Sequence, residues 1–158
     1  MTKEKIQDAI YTRRYVYNFH YHLIWATKYR HQTFSTKELA DEMKDILRMV
    51  AKDNEIVIEK MEVMPDHVHV LISFPPSKAP TSAIKALKGR SAFIFIKRHP
   101  EIRQSQYWGG HLWSSSYYMS TLGNMSKDVA ENYNIFAKNS FARSVLGALK
   151  KSFGLPFS

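Results

Sequence analysis

The stretch from Tyr15 to Trp25 constrains the fold more than any other, because its side chains alternate with a period of two. The even positions carry a mixed set, whereas the odd positions are aromatic or aliphatic: Tyr15, Tyr17, Phe19, Tyr21 and Leu23. Successive side chains of a β-strand point to opposite faces of a sheet. The pattern therefore predicts one long strand with one apolar face, around which the other elements assemble.

The elements that follow are placed by turn signals and apolar periodicity. In chain order we predict a helix from a Ser35–Glu38 capping box to Asp53, a strand over Glu55–Met64 with an irregularity near Lys60, a strand over His67–Phe74, a helix from about Pro80 to Arg98, a strand near Trp113–Leu122 and a helix capped by Ser126. Only Pro65 and Asp66 separate the two middle strands, which predicts a hairpin. His99 and Pro100 are predicted to end the second long helix.

The order β-α-β-β-α-β, followed by one more helix, is that of the split βαβ or ferredoxin-like fold. We therefore predict an α+β protein in which helices cover one face of an antiparallel sheet. The expected organisation is an N-terminal extension over residues 1–14, one domain over residues 15–139 and a basic C-terminal tail over residues 140–158.

Charge and composition narrow the class of function. The 158 residues carry 23 Lys and Arg against 14 Asp and Glu, a formal net charge of +9. Cysteine is absent, which excludes disulfides, thiolate metal sites and cysteine nucleophiles. Residues 1–14 lack the apolar core of a signal peptide, and no apolar run approaches the roughly 18 residues of a membrane span. We expect a soluble, cytoplasmic protein with a polyanion as its partner.

The pair His67 and His69 is the strongest metal-ligand candidate. With one residue between them in a strand, both imidazoles leave the same face and can meet one cation, while Val68 points into the core. Two half-exposed strand histidines without a ligand are the alternative that these residues alone leave open.

Tyrosines are the candidate nucleophiles, and most of the nine fit strand patterns as core or sheet-surface aromatics. Tyr133 differs, because it lies about two turns into the predicted last helix. Its neighbours there are polar: Glu131, Asn132 and Asn134. It is either a nucleophile or an aromatic side chain that closes the core over the sheet.

Basic and aromatic residues alternate in segments that suit nucleic acid, since Lys and Arg neutralise phosphates while rings stack on unpaired bases. A solvated helix face is the alternative for any one cluster. Gly89 lies inside the second long helix, where it costs about 1 kcal/mol relative to Ala, and this indicates a close approach there. The candidate DNA-binding residues are Arg14, Lys28, Arg30, Lys85, Lys88 and Arg90.

Taken in order, several separate blocks resemble the single-tyrosine HUH transposases, the small transposases of IS200-like insertion sequences. The resemblance covers about residues 15 to 133, and its agreement in order is far more specific than a lone His-x-His pair. The blocks are Tyr21–Trp25 with Lys28–Arg30, Met61–His69, Ala86–Ala92 and Leu112–Tyr117.

The resemblance implies a concrete activity. Members of the family are homodimers that recognise hairpins near the ends of a mobile element as single strands, and that cut and rejoin DNA with a divalent metal (Mg²⁺ or Mn²⁺) and one tyrosine. His67 and His69 match the HUH pair, and Tyr133 matches the nucleophile on the C-terminal helix. In the family this helix often docks on the partner's sheet, so that each active site is composite.

One position departs from the family's pattern. The family has a glutamine four residues after the tyrosine as third protein ligand, whereas this chain has Ala137, which cannot bind a metal. Either another oxygen substitutes, from Asn134, a water or a DNA phosphate, or the chain is a catalytically weakened relative that only binds hairpin DNA.

Two alternatives come from other classes. A non-enzymatic single-stranded RNA-binding module would share the topology, but its aromatic signature is absent from the strand that carries His67 and His69. A nuclease that hydrolyses DNA with water would need carboxylates beside these histidines, and only Glu62 and Asp66 are close in sequence.

Overall fold

The structure, a computed structural model, describes residues 9–121. The predicted helix at Ser126, together with Tyr133, Ala137 and the tail from residue 140, lies outside the described residues. Within residues 9–121, no helix is long and apolar enough to span a bilayer. In chain order the described elements are β1 (Ile10–Tyr11), β2 (Val16–Tyr17), β3 (Tyr21–Ala26), α1 (Lys37–Asp53), β4 (Val57–Met64), β5 (His67–Ser73), α2 (Pro80–Arg98), α3 (Pro100–Tyr107) and β6 (Tyr118–Thr121).

The last four strands of this series form one antiparallel sheet in the order β4-β5-β3-β6. Strand β5 lies in its middle, where His69 faces Ile24 of β3 on one side and Glu62 of β4 on the other. Strands β3 and β4 follow one another through α1 and are separated by β5, which is the predicted split βαβ arrangement. The predicted irregularity in β4 is also confirmed, as a register shift between Ile58 and Lys60.

Helices α1 and α2 pack on one face of this sheet and form the hydrophobic core with it. Side chains of one parity on β3 and β5 point toward the helices, and those of the other parity, including His22 and His69, lie on the opposite face. Nearly every residue of both strands is buried. The core residues include Leu23, Trp25, Met43, Leu47, Val68, Val70, Leu87 and Phe95.

The prediction of one long strand from Tyr15 to Trp25 is wrong in its first half. Strand β2 pairs with β1 in a small hairpin instead of joining the sheet. Asparagine is disfavoured in strands, and Asn18 lies at the break. The imidazole of His20, between this break and β3, is buried and lies 3.1 Å from the Glu59 carboxylate of β4.

The ends of the helices differ from prediction in two places. The N-cap of α1 is Thr36 rather than Ser35, and its hydroxyl accepts a hydrogen bond of 3.3 Å from the backbone N–H of Leu39. Helix α2 ends at Arg98 as predicted, but Pro100 then starts α3, a helix that the sequence did not predict. Proline at the first position of a helix is favourable, because the missing N–H would have no partner there.

The last predicted strand, Trp113–Leu122, is shorter in the structure. Regular pairing begins only at β6, and Trp113 forms an isolated bridge with Thr27. The ammonium group of Lys88 on α2 donates hydrogen bonds to the carbonyl oxygens of Ser114 and Ser116, at 2.7 and 3.1 Å. These carbonyls are therefore held against the helix and are not available to a neighbouring strand.

Truncation of Leu47 tests the core between α1 and the sheet. Leu47→Ala is expected to lower the free energy of unfolding by about 2–5 kcal/mol, because the side chain is fully buried and leaves a cavity. Met49→Ala on the same helix is the control, since Met49 is 42% exposed and such a change costs less than about 0.5 kcal/mol. Urea unfolding measures both variants, and equal losses would contradict the packing described.

Candidate metal centre and nucleic-acid interface

His67 and His69 lie on the same face of β5, as their spacing predicts. Their ring centroids are 4.9 Å apart, and Val68 between them is fully buried in the core. His69 is 1% exposed, whereas the side chain of His67 is 12% exposed at the start of the strand. The pair therefore presents one buried and one partly accessible imidazole to the same region.

A third histidine, His22 on β3, lies beside this pair and was not singled out from the sequence. Its ring centroid is 5.9 Å from that of His69 and 6.3 Å from the ring of Tyr118 on β6. The signal was present in the alternation of β3, which places His22 and Ile24 on one face. That alternation indicates the position of His22 only when the register between β3 and β5 is known, because the register sets Ile24 opposite His69.

Burial keeps the inner imidazoles neutral. It is the main cause that lowers the pKa of His69 to about 3, and the nearby charges of His67 and His22 lower it further. Burial also lowers the pKa of His22 to about 4. A neutral imidazole has a free lone pair, so His69 can act as a metal ligand near neutral pH without first losing a proton.

Asp66 holds the outer imidazole in place. One of its carboxylate oxygens is 2.6 Å from Nδ1 of His67, and the other accepts hydrogen bonds from Arg30 at 2.6 and 2.8 Å. Burial alone would raise the pKa of Asp66, but the hydrogen bonds from His67 and Arg30 and their charges outweigh it and lower that pKa. A proton on Nδ1 leaves Nε2 as the atom that can bind a metal.

Arg30, which the sequence assigns to DNA, is thus held by the protein itself. It follows Tyr29 in a tight turn where both residues have positive φ, 62° for Tyr29 and 56° for Arg30. The side chains of Arg30 and Asp66 are each 17% exposed. The sequence signals neither this turn nor the pairing, because the two residues are 36 positions apart.

Two imidazoles form only part of a metal shell. Within residues 9–121 there is no group of three His, Asp or Glu side chains that could hold a metal ion. Glu62 faces His69 across β4 and β5, yet it does not complete such a group. The donor set fits an ion that takes its other ligands from outside these residues, such as waters or phosphate oxygens.

The other predicted DNA-binding residues occupy different places. Lys28 and Lys88 line one cavity of about 490 Å³, and Lys85 joins Lys88 at the adjoining one. Burial lowers the pKa of Lys88 to about 8. Arg14 is exposed in the turn between β1 and β2, and Arg90 is exposed on α2.

The structure has the sheet topology and the histidine pair on a middle strand that are expected of the single-tyrosine HUH transposases. This is the class that the sequence blocks resemble. Residues 15–134 match the family model described as transposase, IS200-like, and the chain belongs to this family. The matched range includes Tyr133 and stops before Ala137. This membership favours DNA processing over the RNA-binding alternative.

Similar proteins agree with this assignment. The ISDra2 transposase TnpA of Deinococcus radiodurans is 45% identical over 121 residues, 77% of this chain and 85% of that protein. The transposase for insertion sequence element IS200 of Salmonella typhimurium is 30% identical over 107 residues, 68% of this chain and 69% of that protein.

Two solved structures share the fold. A crystal structure from Deinococcus radiodurans R1, described as that of a transposase, matches with a TM-score of 0.65 and 42% identity over 82% of this chain and 96% of that one. A REP-associated tyrosine transposase bound to a REP hairpin matches with a TM-score of 0.51 and 16% identity, over 78% of this chain and 67% of that one.

Removal of the Asp66 carboxylate is expected to destabilise the protein. Asp66→Ala leaves the half-buried guanidinium of Arg30 without its partner, which should lower the free energy of unfolding by about 1–3 kcal/mol. Asp45→Ala is the matched control, because Asp45 pairs with Arg48 on the surface of α1, where exposed pairs contribute at most about 1 kcal/mol. Urea unfolding compares the two, and a smaller loss for Asp66→Ala than for Asp45→Ala would contradict the bracing role.

Acidification is expected to destabilise the metal-free protein through His22 and His69. Their pKa values are about 4 and about 3 when folded and about 6.5 when unfolded. Their stabilising contribution is therefore complete above about pH 6.5 and is lost as the pH falls toward these lower values. At about pH 5 the loss is on the order of 1–2 kcal/mol for each ring.

The free energy of unfolding, measured by chemical unfolding in EDTA between about pH 7 and pH 5, tests this expectation. This pH range lies above the one in which carboxylates titrate. The variant H22N/H69N should show a clearly flatter dependence on pH than the wild type. His111→Asn, at an exposed position after α3, is the control and should leave the slope nearly unchanged. Parallel curves for the wild type and H22N/H69N would contradict the assignment.

Proposed function

We propose that this chain cleaves and rejoins single-stranded DNA at hairpin-marked element ends, through a 5′-phosphotyrosine on Tyr133 and with a divalent metal. The observation that carries the proposal is the pair of imidazoles on one face of β5, in a chain whose family match extends through Tyr133. Family membership supports the DNA-processing activity, and the chemistry of these residues supports the finer assignment.

His67 and His69 are the residues that would hold the metal. His69 is neutral near pH 7, and the contact of Asp66 with Nδ1 of His67 leaves Nε2 to face the ion. Mn²⁺ suits such imidazole ligands, and Mg²⁺ is compatible where oxygen atoms complete the shell. When bound there, the ion polarises a non-bridging phosphate oxygen and stabilises the departing 3′ oxygen.

Tyr133 is the proposed nucleophile. Its phenolic oxygen forms a bond to the scissile phosphorus while the bond from phosphorus to the 3′ oxygen breaks. The phenolic proton leaves and the 3′ oxygen takes up a proton, so the products are a free 3′-OH and a 5′-phosphotyrosine. The covalent link conserves the phosphodiester bond, so a second 3′-OH can attack it without ATP.

Hairpin DNA is the substrate class that we propose. The REP-associated tyrosine transposase, which has the same fold, is bound to a REP hairpin. The net charge of +9 favours a polyanionic ligand, and the exposed Arg14, Lys85 and Arg90 can neutralise its phosphates. We also propose a homodimer in which the segment that carries Tyr133, predicted from the sequence to be helical, completes the partner's site.

A specific observation favours a second candidate, a weakened relative that binds hairpin DNA but cleaves it poorly. Ala137 stands where the family has its third protein ligand, and the described residues supply only the two imidazoles. Loss of a metal ligand, or of a group that orients it, lowers metal affinity or activity by about 10–100-fold. The fold and the basic surface would survive this loss.

A gel assay distinguishes these candidates. A single-stranded hairpin from the element's own end, labelled at either terminus, is incubated with the full chain and Mn²⁺ or Mg²⁺. The wild type is expected to form a covalent protein–DNA adduct that EDTA prevents. Tyr133→Phe should abolish the adduct because the attacking oxygen is gone, and His67→Ala should reduce it by about 10–100-fold.

Matched controls keep the assay specific. Tyr11→Phe removes the hydroxyl of an exposed tyrosine on β1, and His99→Ala removes a histidine that contacts Glu42. Both should form the adduct at the wild-type level. Tight hairpin binding without adduct under either metal would overturn the active transposase and support the weakened relative.

A further inference from the structure

A groove runs along α2 on the side of the segment that follows α3. It consists of three adjoining cavities of about 490, 320 and 650 Å³, and Gly89 lines all three. All three volumes fall within the range of roughly 300–1,000 Å³ that is typical of small-molecule sites. Leu112, Trp113 and Ala92 make part of the wall apolar.

Gly89 keeps this groove open. A glycine within a helix costs about 1 kcal/mol relative to Ala, so its presence calls for a reason. Packing within the protein does not explain the glycine, because a Cβ at position 89 would meet nothing within 4 Å. The missing side chain instead leaves space in the groove itself.

Two neighbouring aromatic residues have unusual backbone conformations, one in the wall of the groove and one in contact with it. Tyr29, which lines the cavity of about 490 Å³ with Lys28, has φ 62° and ψ 11°, and Trp108 at the end of α3 has φ 47° and ψ 40°. Their ring centroids are 5.8 Å apart, and Trp108 is 74% exposed. Left-handed conformations of bulky residues cost about 1–3 kcal/mol each and are concentrated at functional sites.

The groove is positively charged. Lys28 lies over the ring of Tyr29 at 5.2 Å, and Lys85 and Lys97 line the outer cavities with Arg103. None of the described residues that line the three cavities is acidic. Apolar and aromatic surface flanked by cations suits a nucleobase with its phosphates, whereas a phosphate alone would gain nothing from the apolar wall.

We propose that this groove binds an unpaired nucleotide of single-stranded DNA, with the base in the space over Gly89 and the flanking phosphates near Lys28 and Lys85. The base would stack with Tyr29 or Trp108, since aromatic stacking tolerates any base. This inference rests on the proposed function, because it takes single-stranded DNA as the ligand. It adds a base-binding site that is separate from the histidine pair.

The tryptophan indole N–H groups allow a direct test by NMR. The chain has three tryptophans. Trp108 is exposed beside Tyr29, Trp113 lies in the wall with its N–H bonded to Ser91 at 3.0 Å, and Trp25 is buried in the core. The labelled full chain is titrated in EDTA, so that no cleavage occurs. The probes are a random-sequence single strand of about 12 nucleotides and an abasic strand of equal length and charge.

The nucleotide strand is expected to shift the indole signal of Trp108, and the abasic strand is not. Gly89→Leu should abolish this shift and weaken binding of the nucleotide strand about tenfold, the loss of one stacked base. The variant should fold normally, because the added side chain meets open space in a helix that gains propensity. Ser105→Leu, at an exposed position of α3 outside the groove, is the control and should bind like the wild type.

Equal shifts with both strands, or Gly89→Leu binding as tightly as the wild type, would overturn the proposal. Thermal unfolding of Gly89→Leu confirms that weaker binding does not come from a damaged fold. The same experiments distinguish failure of this proposal from failure of the proposed function. If the wild type shows the Trp108 shift but forms no adduct with hairpin DNA, only the cleavage chemistry is contradicted. If the wild type forms the adduct and Gly89→Leu binds DNA normally, only the groove is contradicted.

Discussion

The contacts of Asp66 determine how both candidate sites are arranged. One carboxylate oxygen engages His67 and the other engages Arg30, while the backbone carbonyl of Asp66 accepts a hydrogen bond of 2.9 Å from Thr27. A single residue of the β4–β5 turn thus fixes the outer imidazole and the chain that follows β3. These contacts, together with the hydrogen bond of 2.8 Å from the Thr27 hydroxyl to the carbonyl of His31, offset the backbone cost of the left-handed turn at Tyr29 and Arg30.

That turn connects the two sites. Arg30 contacts Asp66, which in turn contacts His67 of the histidine pair, whereas Lys28 and Tyr29 line the groove over Gly89. The backbone N–H of Lys28 also donates to the carbonyl of Leu112 at 2.8 Å, which joins the turn to the opposite wall of the groove. A ligand that moved Tyr29 would therefore act on the same short segment that, through Arg30 and Asp66, braces the histidine pair.

The sequence predicts the parts of this arrangement that depend on local periodicity. The pair His67 and His69 shares a face because the strand period is two, and the order of elements is enough to define the split βαβ sheet. The contact between Arg30 and Asp66 was not predictable, because it spans 36 positions and requires a left-handed turn that Tyr29 and Arg30 do not signal. Helix α3 was missed because its eight residues lack a clear apolar stripe.

The structure also divides the basic residues that the sequence treats as one group. Arg30 is paired with Asp66, and the ammonium of Lys88 is held by the carbonyl oxygens of Ser114 and Ser116. A cation that is already bonded within the protein releases fewer counterions on meeting a phosphate than an exposed one such as Lys85. The salt dependence of DNA binding is therefore expected to come from the exposed cations, whereas Arg30 and Lys88 hold the turn after β3 and the segment after α3 in place. The count of 23 Lys and Arg residues thus overstates the number of cations that are available to a ligand.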